Sequence, residues 1–256
     1  MSLKEQNETM KEKVRMAFSL SEDSVSNEEI RSRLLDGGKV TGTNMCVLVC
    51  AMVIASVGLN VSSTAVIIGA MLISPIMGSI LASAYGSVSA DYVQLRNNML
   101  GFAMQIAISV TAASIFFWLS PIKEPSVELL ARTSPSFFDV LIGFFGGLAG
   151  IIGQTRTDKA NTVIPGVAIA TALMPPLCTC GYSIANARWD MLLGAGYLFI
   201  INAYFIFLAA SIILSVLRIP KTTELTEKQW EMHRLRMVRN TIIVAIPSII
   251  AFYAMF

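Results

Sequence analysis

Two proline-interrupted apolar segments hold the residues best placed to do chemistry. In the first, Ser74-Pro75 lies between Gly69 and Gly78; in the second, Pro175-Pro176 lies at the corresponding depth, with Thr171 one turn earlier. A mid-helix proline lacks a backbone N–H and clashes with the carbonyl four residues back. In lipid the freed carbonyls need partners or a wet cavity. The pattern predicts two broken helices that meet near the midplane and hold an ion or small solute with hydroxyls, carbonyls and half-helix ends. The competing reading is a packed proline kink whose backbone Ser74 and Thr171 satisfy. Gln105 and Asn202 lie about eight and about eleven residues into two further apolar segments. An amide in hydrocarbon must be paired or wet, so these two either bind the solute or join helices by hydrogen bonds.

Other chemistries lack their residues. No Asp, Glu, Lys or Arg lies deep in the first six apolar segments; Asp139 is near a segment start, and Asp91 and Asp190 are in loops. A carboxylate proton relay and a catalytic site are therefore not expected, and no Ser/His/Asp set, phosphate loop or zinc motif occurs. The chain is read as no enzyme, with no catalytic residues and no metal centre. Cys46, Cys50, Cys178 and Cys180 all sit in apolar sequence and read as small fillers, a shared metal site being the sharper option. The remaining ligand groups suit a monovalent cation, a neutral solute or a small anion, with no cofactor.

A gapless repeat positions these residues. The run from Val66 overlies the run from Val163, 97 residues on: Gly69 falls on Gly166, Met77 on Met174, Tyr85 on Tyr182 and Gln105 on Asn202. The composition, 54% hydrophobic and 14% charged with a mean hydropathy of +0.64, is that of a polytopic membrane protein. Apolar segments are expected at residues 44–60, 64–88, 97–119, 137–153, 162–185, 191–217 and 241–256, most of them near the ~20 residues that a bilayer needs. Three segments make one repeat. Three is odd, so the second copy enters the membrane from the other side and the repeats are inverted. The fold class is all-α: two inverted three-helix repeats with broken second helices, plus one C-terminal helix.

Charge agrees with that topology. With the N-terminus in the cytoplasm, 16 of the 19 Lys and Arg fall inside, and only Lys123, Arg132 and Arg188 outside. The chain divides into a cytoplasmic segment (1–40), membrane repeat 1 (41–119), an extracytoplasmic loop (120–136), membrane repeat 2 (137–217), a cytoplasmic amphipathic linker (218–240) and a final transmembrane helix (241–256). The expected location is a bacterial inner membrane, and no cleaved secretory signal is expected. Ser26-x-x-Glu29 reads as a capping box and Gly37-Gly38 as a stop for a short helix from about Asn27 to Asp36, a solvated lead-in. Asn60, Ser63, Thr64 and Asn161 precede the interrupted segments and read as caps, or more sharply as polar vestibules. Gly143/Gly147 and Gly146/Gly150 form small-xxx-small pairs that pack helices within the chain or join copies in a homo-oligomer. The lipid bilayer and a small solute or ion are the expected partners, without nucleic acid.

NVSSTAVIIGAMLISPIMG, from Asn60 to Gly78, resembles the signature of a bacterial membrane family of uncharacterised hydrophobic domains (domain of unknown function 389). TVIPGVAIATALMPPLCTCGY, from Thr162 to Tyr182, resembles that family's other characteristic stretch. The resemblance covers most of residues 40–217 and implies a membrane protein without naming a solute. The residues themselves point to a transport protein, carrier or channel, with Ser74, Pro75, Thr171, Pro175, Pro176, Gln105 and Asn202 at its site. The alternative is a non-transport scaffold or sensor that signals through its charged cytoplasmic segments.

Overall fold

The computed structural model describes residues 24–157 and 163–222, with Met232, Leu235 and Arg239 as isolated helical positions; over 163–171 it describes the backbone alone. The expected final helix, most of the linker before it and Asn161 lie outside the described residues.

Every described element is helical apart from one isolated bridge between Ser24 and Arg156. In chain order they are α1 (Asn27–Gly37), α2 (Gly42–Asn60), α3 (Thr64–Ile73), α4 (Ile76–Val88), α5 (Tyr92–Leu119), α6 (Val127–Leu130), α7 (Phe137–Thr155), α8 (Val163–Ala185) and α9 (Trp189–Val216). Among the described residues α2, α5, α7 and α9 are long and apolar enough to cross a membrane, and α3 and α4, bent by 49° at their junction, are so only when taken together. α8, at 23 residues, is about 34 Å long at ~1.5 Å per residue. Large apolar side chains stay exposed along these helices, for example Leu72, Trp118, Phe145 and Leu193, as an outer face turned to lipid requires.

The repeat is visible in local geometry. α5 and α9 both have 28 residues and start 97 residues apart. The turns before them match residue for residue. Ala90 and Ala187 both have positive φ, 55° and 52°. Ser89 N–H donates to the Tyr85 carbonyl and Asn186 N–H to that of Tyr182; Asp91 N–H donates to Gly86 and Arg188 N–H to Ser183. Phe102 and Phe199, equivalent in the repeat, stack on each other at 5.9 Å and 23°.

Contacts sort the helix ends into two sets. At one end Val25 N–H donates to the Thr155 carbonyl after α7, and Thr222 N–H, after α9, donates to Ser89 after α4. At the other, Asn60 donates to Ser120 Oγ, Ser126 Oγ donates to the Leu59 carbonyl, and Tyr182 donates to the Lys123 carbonyl. α7 and α9 run side by side in the same direction. A Cβ on Gly143 would lie 3.2 Å from Asn202 Oδ1, and one on Gly147 2.8 Å from Ile206 Cα. These two glycines therefore serve close packing within the chain.

Two expectations need correction. α1 is no solvated lead-in. Ser26 caps it by accepting from Glu29 N–H, Gly38 ends it, and Ile30 and Leu34, on one face, are 1% and 2% exposed. Its last turn packs on α4, where a Cβ on Gly78 would overlap the Gly37 carbonyl oxygen. The second correction is that only the first interrupted segment is broken; Pro175 and Pro176 lie inside a continuous α8.

Candidate functional site

The break between α3 and α4 follows from local sterics. A residue before proline is pushed out of the α region, and Ser74 takes φ −76°, ψ 127°. Ser74 N–H still reaches the Met71 carbonyl at 3.4 Å, and Ser74 Oγ accepts from Ile76 N–H at 3.5 Å. α4 then starts again directly after Pro75. The same effect operates in α8 but loses. Pro176 cannot donate to the Ala172 carbonyl, and Asn202 Nδ2 donates to that carbonyl instead, at 2.8 Å. Thr179 Oγ1 donates to the Pro175 carbonyl at 2.9 Å. Residues 172–183 are all buried, so packing holds the helix together through both prolines.

A cavity of about 350 Å³ opens at the break. Ser74, Pro75, Gly78 and Leu81 lie on one wall, and Arg33, Asp36 and Gly37 of α1, Asn44 of α2 and Gln154 of α7 lie opposite, among other lining residues. Pro175, Pro176, Gln105 and Asn202 do not line it. Thr171 is placed as a backbone position of α8 only. The expected meeting of two broken helices is therefore replaced by one break under a roof made by α1.

The two charges on this roof are already paired. Arg33 Nη1 donates to the carbonyls of Gln154 at 3.3 Å and Arg156 at 2.7 Å, and Nη2 to Glu29 Oε1 at 2.6 Å. It thus neutralises the negative end of the α7 dipole. Asp36 accepts from Lys39 at 2.6 Å and Ser32 at 3.1 Å. Those hydrogen bonds, Lys39 first, hold its carboxyl below the usual range. The neutral groups at the cavity are the Ser74 hydroxyl, the Gln154 amide and the Asn44 amide, whose Nδ2 already donates to the Lys39 carbonyl at 3.0 Å. Arg33→Ala should lower stability by about 2 kcal/mol, the scale of charge-assisted hydrogen bonds, as measured by thermal unfolding in detergent; Arg33→Lys should recover part of it.

Arg33, Asp36, Asn44 and Gln154 were not singled out by sequence. The one available signal was the Ile30/Leu34 pair ahead of Gly37-Gly38, which marks α1 as a docked helix.

Gln105 and Asn202 sit midway along their helices, 0% and 3% exposed. Asn202 joins α9 to α8, the helix-joining reading of its amide. Gln105 is different: neither Oε1 nor Nε2 has a hydrogen-bond partner. Of the expected caps, Asn60 binds Ser120 at 2.6 Å and Thr64 Oγ1 donates to Glu128 Oε1 at 3.2 Å. Ser63 caps α3 by position, without a side-chain hydrogen bond. These contacts tie α2 and α3 to the loop around α6. Cys46 and Cys50 are exposed, Cys178 and Cys180 buried. Among the described residues no three His, Cys, Asp or Glu come together as metal ligands.

Comparison with known proteins gives a family. An uncharacterized protein of the archaeon Methanocaldococcus jannaschii is 26% identical over 188 residues, 73% of this chain and 58% of that relative. The chain thus spans less than two thirds of this relative, and the archaeal source does not support the expected bacterial one. No solved structure matches. The family model for a domain of unknown function, DUF389, matches residues 71–208, which include Pro75, the α4–α5 turn, Pro175-Pro176 and the turn before α9. The chain belongs to the DUF389 family.

Proposed function

We propose that the protein moves a small polar solute or ion across a membrane, binding it at the break between α3 and α4. The observation that carries this reading is a cavity of about 350 Å³ at a helix break inside a bundle of apolar helices. Irregular backbone is tolerated at membrane depth where it lines a cavity. The neutral polar side chains there, Ser74, Asn44 and Gln154, suit a polar solute or a weakly held ion. Thr171, Pro175, Pro176, Gln105 and Asn202 keep a role in this reading as the second copy's half of the pathway.

The repeats are read as inverted. α2 begins among the helix ends that gather around α1, whereas α7 ends there, next to Val25. The 16 inside charges put the α1 end in the cytoplasm. The membrane is then a cytoplasmic one.

Flux from proteoliposomes tests the reading. Sodium, potassium, chloride, phosphate, glycerol and a neutral amino acid form the panel. At least one should move at a rate above empty vesicles, and Asn44→Trp, which fills the cavity from the first turn of α2, should cut that rate at least ~10-fold without loss of fold, a factor equivalent to about 1.4 kcal/mol. Absence of flux for every solute would remove the transport reading and leave the scaffold or sensor.

A further inference from the structure

We propose that the two copies of the repeat exchange conformations. In the second state α3 and α4 straighten, α8 opens at Pro175-Pro176, and a latent cavity forms there facing the opposite end. This rests on the transport reading and makes the protein a carrier instead of a channel.

The two copies align without gaps, with Pro75 over Ala172 and Pro175 over Gly78, and they have two structures. Their turns match bond for bond, and α5 and α9 match in length. Yet one interrupted segment is two helices bent by 49° and the other is one continuous helix through two prolines. Equivalent phenylalanines stack on each other at 5.9 Å, so the relation between the copies passes through that contact. Exchange leaves this stack in place and swaps everything around it.

The amides show what holds each state. Asn202 occupies the carbonyl that Pro176 leaves free, and this keeps α8 straight. Its counterpart Gln105 is wholly buried with both amide atoms unpaired. An unpaired amide is costly when buried, and a state that uses it accounts for its presence. In the exchanged state the straightened α3–α4 junction leaves the Met71 carbonyl without a donor from Pro75, Gln105 is the buried amide that serves this junction, and Asn202 loses its carbonyl. One hydrogen bond is traded for another, so the two states stay close in free energy. α8 itself demonstrates that this bundle accepts a proline within a continuous helix.

The repeat also predicts what lines the latent cavity. Leu81, on the wall of the open cavity, falls on Cys178, and Ser74 falls on Thr171. Cys178 is now 0% exposed. Exchange brings its thiol to the opposite opening.

Labelling with a membrane-impermeant maleimide, added to one side of sealed vesicles, tests this. One protein keeps Cys178 alone, with Cys46→Ser, Cys50→Ser and Cys180→Ser. A second lacks all four native thiols and carries Leu81→Cys. Cys178 should react only from the end opposite α1, and Leu81→Cys only from the α1 end. Gln105→Leu should slow Cys178 about tenfold, the equivalent of one hydrogen bond, and quicken Leu81→Cys; Asn202→Leu should do the reverse. Size-exclusion profiles check that each variant is folded. A purely structural role would move both reporter rates in the same direction, and that result overturns the exchange. So does a Cys178 that stays inert from the opposite end, or reacts from the α1 end. Flux with an inert Cys178 removes the exchange and leaves transport; a reactive Cys178 without flux removes transport and leaves the exchange.

Discussion

Gln105→Leu is expected to raise the thermal stability of the protein in detergent, and Asn202→Leu to lower it, by about 1–2 kcal/mol each. The two side chains are repeat equivalents at the same depth, so burial alone predicts equal effects. Their partners differ. Gln105 keeps Oε1 and Nε2 buried without a hydrogen bond, and leucine of similar volume removes that desolvation cost. Asn202 Nδ2 donates to the Ala172 carbonyl at 2.8 Å. Removing it leaves a carbonyl that Pro176 cannot serve, at the start of the buried stretch 172–183. Polar contacts between membrane helices average less than 1 kcal/mol, but this one also holds a proline-weakened helix straight. Thermal unfolding of the purified variants, followed by tryptophan fluorescence, reads the sign directly. Destabilisation by Gln105→Leu as large as that by Asn202→Leu would mean that both amides are paired.

Gly78→Val is expected to give the largest loss, about 3 kcal/mol or more. A Cβ at position 78 would overlap the Gly37 carbonyl oxygen and come within 2.5 Å of the Gly37 carbonyl carbon's position. Backbone, unlike the tip of a flexible side chain, cannot step aside. α1 must lift off α4, which exposes Ile30 and Leu34 and pulls one wall from the cavity. Limited proteolysis near residues 24–40 should accelerate in the same variant. Gly196→Ala is the control, because nothing lies within 4 Å of a Cβ there. Equal melting of the two variants would show that α1 does not dock on α4.

Much of this architecture is legible in the chain because apolar length and flanking caps are local signals. The expected segments 44–60 and 137–153 became Gly42–Asn60 and Phe137–Thr155. α5 starts at Tyr92, five residues before the expected position. Arg96, Asn97 and Asn98 make its first turns look like loop, while Asp91 caps it by accepting from Gln94 N–H at 3.0 Å. The continuity of α8 was not legible. Two adjacent prolines argue for a break, and the group that prevents it, Asn202, comes from another helix. The cavity was half legible: Ser74-Pro75 marks one wall, but the roof depends on α1, whose docking face is only Ile30, Leu34 and two glycines. Long-range partners of this kind leave little trace in local pattern.

The central claim is that the opening at the α3–α4 break is where a solute enters. Flux across proteoliposomes that carry wild type or Asn44→Trp measures it most directly. The account predicts flux of at least one small polar solute or ion through the wild type and its loss in the filled variant, with both proteins equally folded. Equal flux through a folded Asn44→Trp would contradict it, because the solute would then be taking a path that does not pass Ser74 and Pro75.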